Sequence, residues 1–350
     1  MNYLPTIRRG IANLRGIARG RPPILLANVL VTRQCTQRCL MCSIPEGAGA
    51  DTTMPFDRFA GLVDRLDRDG THFLTISGGE PLCHPELADM IRYAAKKRFF
   101  HLQVLSNFFV PEEVRDRIIE ALLETGTGIQ ISFDGFGEVA DMLRGAKGVA
   151  GKVTAGILAL DRENRKRGKK IRTSLNIVLS GPNLRQTPEL IDFAEAIGWK
   201  ANVDLYRCSA PHHRRESMLN IVDMDMLEKA IARIKSSPAV TTPRVILDGY
   251  RPFLEGKQKK RCPYLESAAV VPKVFIGPEG DVSICIGRTV GNAFADSPAE
   301  MLDPNAWRSA RDLMQRCSGC WNTCYTPLAI MLRPRSWGDW GALWTSFQMH

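Results

Sequence analysis

The sequence has no apolar run approaching the roughly 18 residues that a helix needs to span a bilayer. Its arginine-rich N-terminus has no apolar core with a small-residue cleavage site, so it does not read as a secretory signal. Internal repeats and low-complexity tracts are missing as well. With 44% hydrophobic and 24% charged residues, these absences predict a soluble globular protein of the cytoplasm.

Without a secretory signal, the ten cysteines do not indicate a disulfide framework. Cytosolic thiols stay reduced, and clustered cysteines there usually bind metal or take part in chemistry. Eight of the ten fall into two groups. The net charge of +10 favours an anionic partner, such as nucleic acid, an anionic membrane surface or a phosphorylated substrate. A diffusely basic, solvated surface is the alternative.

Short apolar strands alternate with helical segments from about residue 24 onward, as expected of βα units on a parallel sheet. The predicted strands are Ile24 to Val31, His72 to Ser77, His101 to Ser106, Ile129 to Asp134, Thr173 to Leu179 and Asn202 to Tyr206. The predicted helices cover 56–68, 85–97, 111–124, 149–166 and 187–197. Six such units predict an α/β fold, a partial (βα)6 TIM-like barrel with its chemistry at the C-terminal strand ends.

Beyond residue 210 the alternation of strands and helices is no longer regular. A helix is expected near 223–236, and a hairpin is expected where Val274 to Ile276 and Val282 to Ile286 flank a turn with Gly and Pro. We divide the chain into a basic amphipathic helix 1–23, a core barrel 24–210, a linking helical segment 211–261, a small hairpin and helix unit 262–326 and a Trp-rich tail 327–350.

Both ends of the chain look amphipathic. Ile7, Ile11, Leu14 and Ile17 recur at helical spacing among arginines, and the tail contains Trp337, Trp340, Trp344 and Phe347. Such segments could rest peripherally on an anionic membrane or accept a lipid-like substrate. Packing onto the barrel is the more common use of an apolar helix face, and we expect it here.

The first cysteine group follows the first predicted strand directly. Cys35, Cys39 and Cys42 share one loop at the mouth of the barrel. Three thiolates are one too few for a closed zinc site or for a cubane iron-sulfur cluster, so one position stays open for another ligand. A zinc knuckle with a distant fourth ligand is the alternative.

This CxxxCxxC spacing resembles the radical S-adenosylmethionine (SAM) superfamily, although Met41 stands where the family often has an aromatic residue. The second strand ends in Gly78-Gly79-Glu80-Pro81, which is similar to the family's GGEP element. The resemblance implies a [4Fe-4S] cluster on the three cysteines and S-adenosylmethionine bound to it. Two glycines let backbone approach a ligand closely, and Glu80 is expected to accept hydrogen bonds from the ammonium group of SAM.

Four further positions resemble SAM-contacting sites of the family more loosely. Asn107 follows the third strand, Ser132 lies in the fourth, Arg144 resembles a carboxylate-binding arginine, and Asn176 lies where relatives place a polar residue near the ribose. For Ser132, Arg144 and Asn176, an ordinary polar residue of a strand or loop is the alternative.

The second cysteine group has the order Cys, hairpin Gly-x4-Cys, CxxC. It comprises Cys262, Cys285, Cys317, Cys320 and Cys324. This order resembles the twitch domain, the shortened SPASM extension of the superfamily, and implies one auxiliary [4Fe-4S] cluster. The first four thiols are the expected ligands, with Cys324 replacing one of them or remaining free. A structural zinc site is the alternative.

The resemblance implies an oxidoreductase that reductively cleaves SAM and takes hydrogen from a small metabolite, lipid or tetrapyrrole-like intermediate. The auxiliary cluster is expected to accept an electron, and a flavodoxin or ferredoxin to supply one. Asp204, Tyr206, His212 and His213 near the last strand are candidate proton acceptors.

Two other functions stay open. A ribosomal-peptide maturase is one, weakened because about 23 residues before the first strand leave no room for a leader-binding domain. A non-enzymatic zinc protein that binds nucleic acid is the other, weakened because stacking motifs of aromatic and basic residues are missing.

Overall fold

A computed structural model describes residues 4–19, 22–46, 49, 51–168, 171–206, 216–258, 261–267, 269–285, 288–295, 301–317 and 319–333. The strands are β1 Ile24–Leu30, β2 Phe73–Ser77, β3 His101–Ser106, β4 Gly128–Ser132, β5 Thr173–Leu179, β6 Lys200–Leu205, β7 Val271–Ile276, β8 Asp281–Cys285 and β9 Arg288–Asn292. The longer helices are α1 Leu4–Ala18, α2 Phe56–Arg68, α3 Leu87–Ala95, α4 Glu112–Thr125, α5 Gly137–Arg144, α6 Val149–Lys166, α7 Thr187–Ile197 and α8 Met224–Ser236. Shorter helices and the C-terminal ones follow as α9 Arg244–Asp248, α10 Tyr250–Leu254, α11 Pro263–Glu266, α12 Pro304–Arg316 and α13 Thr326–Leu332.

The strands form one nine-stranded sheet in the order β6-β5-β4-β3-β2-β1-β7-β8-β9. Strands β1 to β6 are parallel and pair in chain order. The predicted partial TIM-like fold is therefore confirmed. Because parallel strands end at the same edge, the loop after β1 and the turn after β2 meet at one mouth of the barrel.

Successive side chains of a strand point to opposite faces of the sheet, so each strand has one apolar, buried face and one polar face. In β5, Leu175, Ile177 and Leu179 are fully buried in the main hydrophobic core. Ser174 and Asn176 alternate with them on the opposite face and are half-buried. The inner face of the sheet thus carries polar side chains, which a closed apolar core would not.

Strands β3 and β5 begin and end where the sequence predicts, whereas α5 was not predicted. The larger difference lies in the C-terminal part. β7 begins at Val271, pairs in parallel with β1, and continues through β8 into a third strand, β9. The predicted hairpin therefore extends the barrel sheet rather than forming a sheet of its own.

The expectation that α1 packs its apolar face onto the barrel is wrong. Its apolar residues Ile7, Ile11, Leu14 and Ile17 are 42–69% exposed, and the helix contacts the barrel through its polar side. The physical reason is Arg9, whose buried guanidinium holds this side of the helix inward. Of the Trp-rich tail 327–350, residues 334–350 lie outside the described residues. Within the described part, no helix is long and apolar enough to cross a membrane.

Candidate cluster and S-adenosylmethionine site

A cavity of about 270 Å³ opens at the C-terminal ends of the strands. Cys35, Cys39 and Cys42 all line it, with Cys39 buried and the other two half-buried. The same cavity is lined by most of the residues predicted to contact SAM, namely Gly78, Gly79, Asn107, Ser132, Arg144 and Asn176. Residues from four strand ends, the middle of β5 and one helix end therefore converge on the three thiols.

The two glycines after β2 allow the cluster loop and the GGE turn to touch. A Cβ atom on Gly78 would lie 2.5 Å from the Thr32 carbonyl oxygen, and one on Gly79 would lie 2.5 Å from the Arg33 carbonyl oxygen. Because the two segments lie this close together, the Gly79 amide donates to the Thr32 carbonyl oxygen at 2.8 Å. The Glu80 amide likewise donates to the Gln34 carbonyl oxygen at 2.7 Å. Any larger residue would separate the two segments.

Glu80 is fully buried and holds the strand ends together. Its carboxylate accepts hydrogen bonds from the Ser106 hydroxyl at 2.7 Å, the Asn107 amide at 2.6 Å and the Leu82 amide at 3.0 Å. Burial raises the pKa of this carboxyl to about 7, while the three donors act in the opposite direction. Glu80 thus has a structural role in this geometry, and its contact with a ligand ammonium stays a prediction.

The end of α5 supports the cluster loop from the other side. The Arg38 and Leu40 amides donate to the carbonyl oxygens of Arg144 at 3.2 Å and Leu143 at 3.0 Å. Gly145 ends the helix at φ +62°, and a Cβ atom there would lie 2.2 Å from the Arg38 carbonyl oxygen. The loop that bears the cysteines is consequently fixed between β2 and α5.

Arg144 is buried and already has a carboxylate partner. Its Nη2 lies 2.5 Å from Oδ2 of Asp134, whose other oxygen accepts the Val178 amide at 2.8 Å. Burial raises the pKa of Asp134, and Arg144 opposes that rise. The guanidinium also lies 4.0 Å from the Cys39 sulfur through Nη1. A guanidinium carries further N–H donors, and the contact of Arg144 with a ligand carboxylate stays a prediction.

The thiols have donors suited to an iron-sulfur cluster. Asn107 Nδ2 and the Gln37 amide both donate to the Cys35 sulfur at 3.5 Å. Burial raises the pKa of Cys35 to about 12, and the neighbouring Glu80, Cys39 and Cys42 raise it further. Since cluster ligands must be deprotonated, the metal would have to supply the compensating positive charge. The donor set and the shared cavity fit a [4Fe-4S] cluster with one open iron.

An apolar cover lies over the same loop. Met41 packs with Cys39, Leu143, Tyr206 and Leu219 in a small buried cluster. Tyr206, a candidate proton acceptor, is 3% exposed, and its hydroxyl accepts the Glu216 amide at 3.2 Å. It belongs to this cover rather than to the lining of the cavity. His212 and His213 lie outside the described residues.

A polar chain connects the predicted SAM site to the C-terminal cysteines. Asn202 Nδ2 donates to Asn176 Oδ1 at 2.8 Å and to Thr323 Oγ1 at 3.2 Å. Thr323 in turn donates to Asp204 through its hydroxyl at 3.0 Å and its amide at 3.3 Å. Asp204, another candidate proton acceptor, therefore holds the segment between Cys320 and Cys324 against β6.

The second cysteine group comes together at the end of β8. Burial raises the pKa of the Cys285 thiol to about 12, and the thiols of Cys262, Cys320 and Cys317 raise it further. Cys317 and Cys324 are both exposed. The four interacting thiols are the ones expected as auxiliary-cluster ligands, although that assignment stays a prediction. In the described part of the chain, no three His, Cys, Asp or Glu side chains are arranged for a single metal ion.

Sequence reasoning missed Lys273 in β7. It is only 7% exposed, and its ammonium lies 4.7 Å from the ring centre of Phe275, which lines the cavity, and 5.6 Å from that of Tyr325. The sequence contained one indication of this contact, because Lys273 and Phe275 are two residues apart and would share a face of a strand. It was missed because the predicted strand began at Val274.

Comparison with known proteins identifies the class. Residues 29–194 match the Radical SAM superfamily, and the chain carries a radical SAM domain. The predicted family is therefore confirmed, and with it the [4Fe-4S] cluster and SAM as the cofactors of that family.

Two curated relatives show the range of proteins with similar sequences. The Fe-coproporphyrin III synthase of Methanosarcina barkeri is 23% identical over 185 residues, 53% of this chain and 44% of that protein. The PqqA peptide cyclase of Granulibacter bethesdensis is 25% identical over 250 residues, 69% of this chain and 62% of that protein. The matched parts thus span roughly half of these relatives.

A solved structure shares the fold over most of the chain. Streptococcus suis SuiB bound to its precursor peptide SuiA gives a TM-score of 0.66 at 15% identity, covering 89% of this chain and 72% of SuiB. This coverage is far wider than the radical SAM match alone, so the likeness of fold continues beyond the barrel.

Proposed function

We propose that this chain cleaves SAM reductively and takes a hydrogen atom from a biosynthetic intermediate that carries an acidic group. The observation that supports this most directly is the shared cavity. Three thiols from one loop and the polar residues Asn107, Ser132, Arg144 and Asn176 line the same space. A small metabolite or a tetrapyrrole-like compound fits the proposal, and a lipid-like substrate is an alternative.

When bound, the reduced cluster and SAM supply an electron and a 5'-deoxyadenosyl radical, which removes hydrogen from an unreactive carbon. The chain's own residues prepare the site for that chemistry. Asn107 and Arg144 place N–H donors near the sulfurs, which tunes the reduction potential of a cluster. Met41, Leu219 and Tyr206 exclude water from behind the loop.

We assign the auxiliary cluster to Cys262, Cys285, Cys317 and Cys320, without Cys324. The assignment is supported by the thiols of Cys262, Cys320 and Cys317, which lie close enough to Cys285 to raise its pKa. With four protein ligands the cluster would have no open iron, so it would transfer electrons rather than bind substrate. The substrate would lose a hydrogen atom to the 5' carbon, an electron to this cluster and, for a net two-electron oxidation, a proton to a base or water.

Lys273 supports an acidic substrate. The Lys273 side chain is buried, and its ammonium brings a positive charge to within 4.7 Å of the ring centre of Phe275, which lines the cavity. It lies behind Phe275, beside Tyr325 from the segment that follows the last cysteine. A substrate carboxylate could pair with this ammonium.

A ribosomal-peptide substrate is the second candidate. It is favoured by the likeness of fold to SuiB, whose structure contains a precursor peptide, and by the sequence similarity to PqqA peptide cyclases. The zinc and nucleic-acid alternative has no support from the family match. Because radical SAM enzymes need a reductant, we propose a flavodoxin or ferredoxin as the donor.

Paired cysteine variants test the proposal. Anaerobically purified protein should contain about eight iron atoms per chain and form 5'-deoxyadenosine from SAM under dithionite. Cys39→Ala should abolish this cleavage, whereas Cys285→Ala should keep some cleavage and lose the auxiliary iron. Cys83→Ala, at a half-buried cysteine outside both groups, should retain the iron content of the wild type. A colourless, zinc-loaded protein without SAM cleavage would contradict the proposal.

A further inference from the structure

Helix α1 is attached to the barrel through polar contacts. The Arg9 side chain is fully buried and donates to the Arg98 carbonyl at 2.9 Å, to the Lys97 carbonyl at 2.7 Å and to Asp67 at 2.5 Å. Its guanidinium also lies 4.8 Å from the ring centre of Phe99. These contacts fix which side of the helix faces inward.

The apolar side of α1 consequently points to solvent. Ile7, Ile11, Leu14 and Ile17 are exposed to 57%, 45%, 69% and 42% and share one face at helical spacing. A surface helix normally buries such a stripe against its own protein. Four exposed aliphatic side chains on one helix face are a typical mark of an interaction surface.

Basic residues flank this stripe. Arg15 and Arg19 are exposed, the Arg8 side chain is 58% exposed and pairs with Asp67 at 2.5 Å, and α1 contains no acidic residue. A second copy of the helix packed on this face would bring its own arginines close without any carboxylate on α1 to balance them. An apolar layer with negative charges at its surface matches both features at once.

We propose that α1 is a docking helix for an anionic lipid membrane, with its apolar face in the acyl boundary and its arginines at the headgroups. The contacts of α1 involve residues just before β2 and β3, at the end of the barrel opposite the cluster loop. Docking therefore leaves the candidate site facing away from the membrane. It localises the protein and does not require a substrate embedded in the bilayer.

The test is sedimentation of the full-length protein with vesicles. Wild type should bind vesicles of equal parts phosphatidylcholine and phosphatidylglycerol, bind phosphatidylcholine alone weakly, and lose affinity as salt rises. Ile7→Ser with Leu14→Ser should weaken binding at least about tenfold per substitution, since burying a large aliphatic side chain is worth that much in affinity. Arg15→Gln with Arg19→Gln should weaken it about fivefold per charge and flatten the salt dependence.

The matched control is Leu158→Ser with Leu313→Ser, which removes two aliphatic side chains of 49% and 48% exposure from α6 and α12. It should bind vesicles like wild type. SAM cleavage without vesicles should be equal in all of these proteins, so this test is independent of the proposed reaction. Failure of wild type to bind the anionic vesicles, equal loss in the control, or a dimer that only the Ile7 and Leu14 changes dissociate would overturn the proposal.

Discussion

Gly145→Ala should displace the cysteine loop without unfolding the barrel. An alanine at φ +62° costs about 1–2 kcal/mol by itself. Its Cβ would also lie 2.2 Å from the Arg38 carbonyl oxygen, so that carbonyl must retreat by roughly 1 Å. Arg38 immediately precedes Cys39, and a displacement of that size typically costs about a hundredfold in rate.

Gly148→Ala is the matched control, because Gly148 has φ +71° and open space where its Cβ would be. Both variants should lose a similar 1–2 kcal/mol from backbone conformation, seen as a small drop in melting temperature. Only Gly145→Ala should lower SAM cleavage by about a hundredfold and reduce the iron on the first three cysteines. Equal cleavage by the two variants would refute the argument that the end of α5 holds the cluster loop.

Substitutions of Glu80 and Lys273 give two further predictions, one for stability and one for activity. Because burial raises the Glu80 pKa from 4.5 to about 7, the folded apoprotein should lose about 3 kcal/mol of stability as pH rises from 4.5 to 7. Chemical denaturation of Glu80→Gln should show a flatter slope over that window, and an unchanged slope would contradict the assignment. Lys273→Met should lower product formation but keep SAM cleavage, with partial rescue by Lys273→Arg; equal loss of both activities would instead indicate a structural lysine.

The parts of the fold that depend on local pattern could be predicted from the sequence. Strands such as His101–Ser106 alternate apolar residues within short bounded runs, and their helical crossovers have the usual length. The cysteine and glycine motifs also fixed which strand ends form the site. These features need no knowledge of distant contacts.

What the sequence could not show depends on long-range contacts. Nothing local to Val271–Ile276 reveals that this strand pairs with β1, nearly 250 residues earlier in the chain. The orientation of α1 was predicted wrongly, because its periodicity is the same whichever side faces inward, and one buried arginine decides it. Asp204 was a candidate base from its position, but Thr323 occupies its carboxylate.

The most direct test of the account is electron paramagnetic resonance of the reduced cluster in the Cys285→Ala protein, with and without SAM. If Cys35, Cys39 and Cys42 leave one iron open, adding SAM labelled in its amino and carboxylate groups should change the spectrum and couple the label to the cluster. A spectrum that SAM leaves unchanged, with a fourth protein ligand on the cluster, would contradict it.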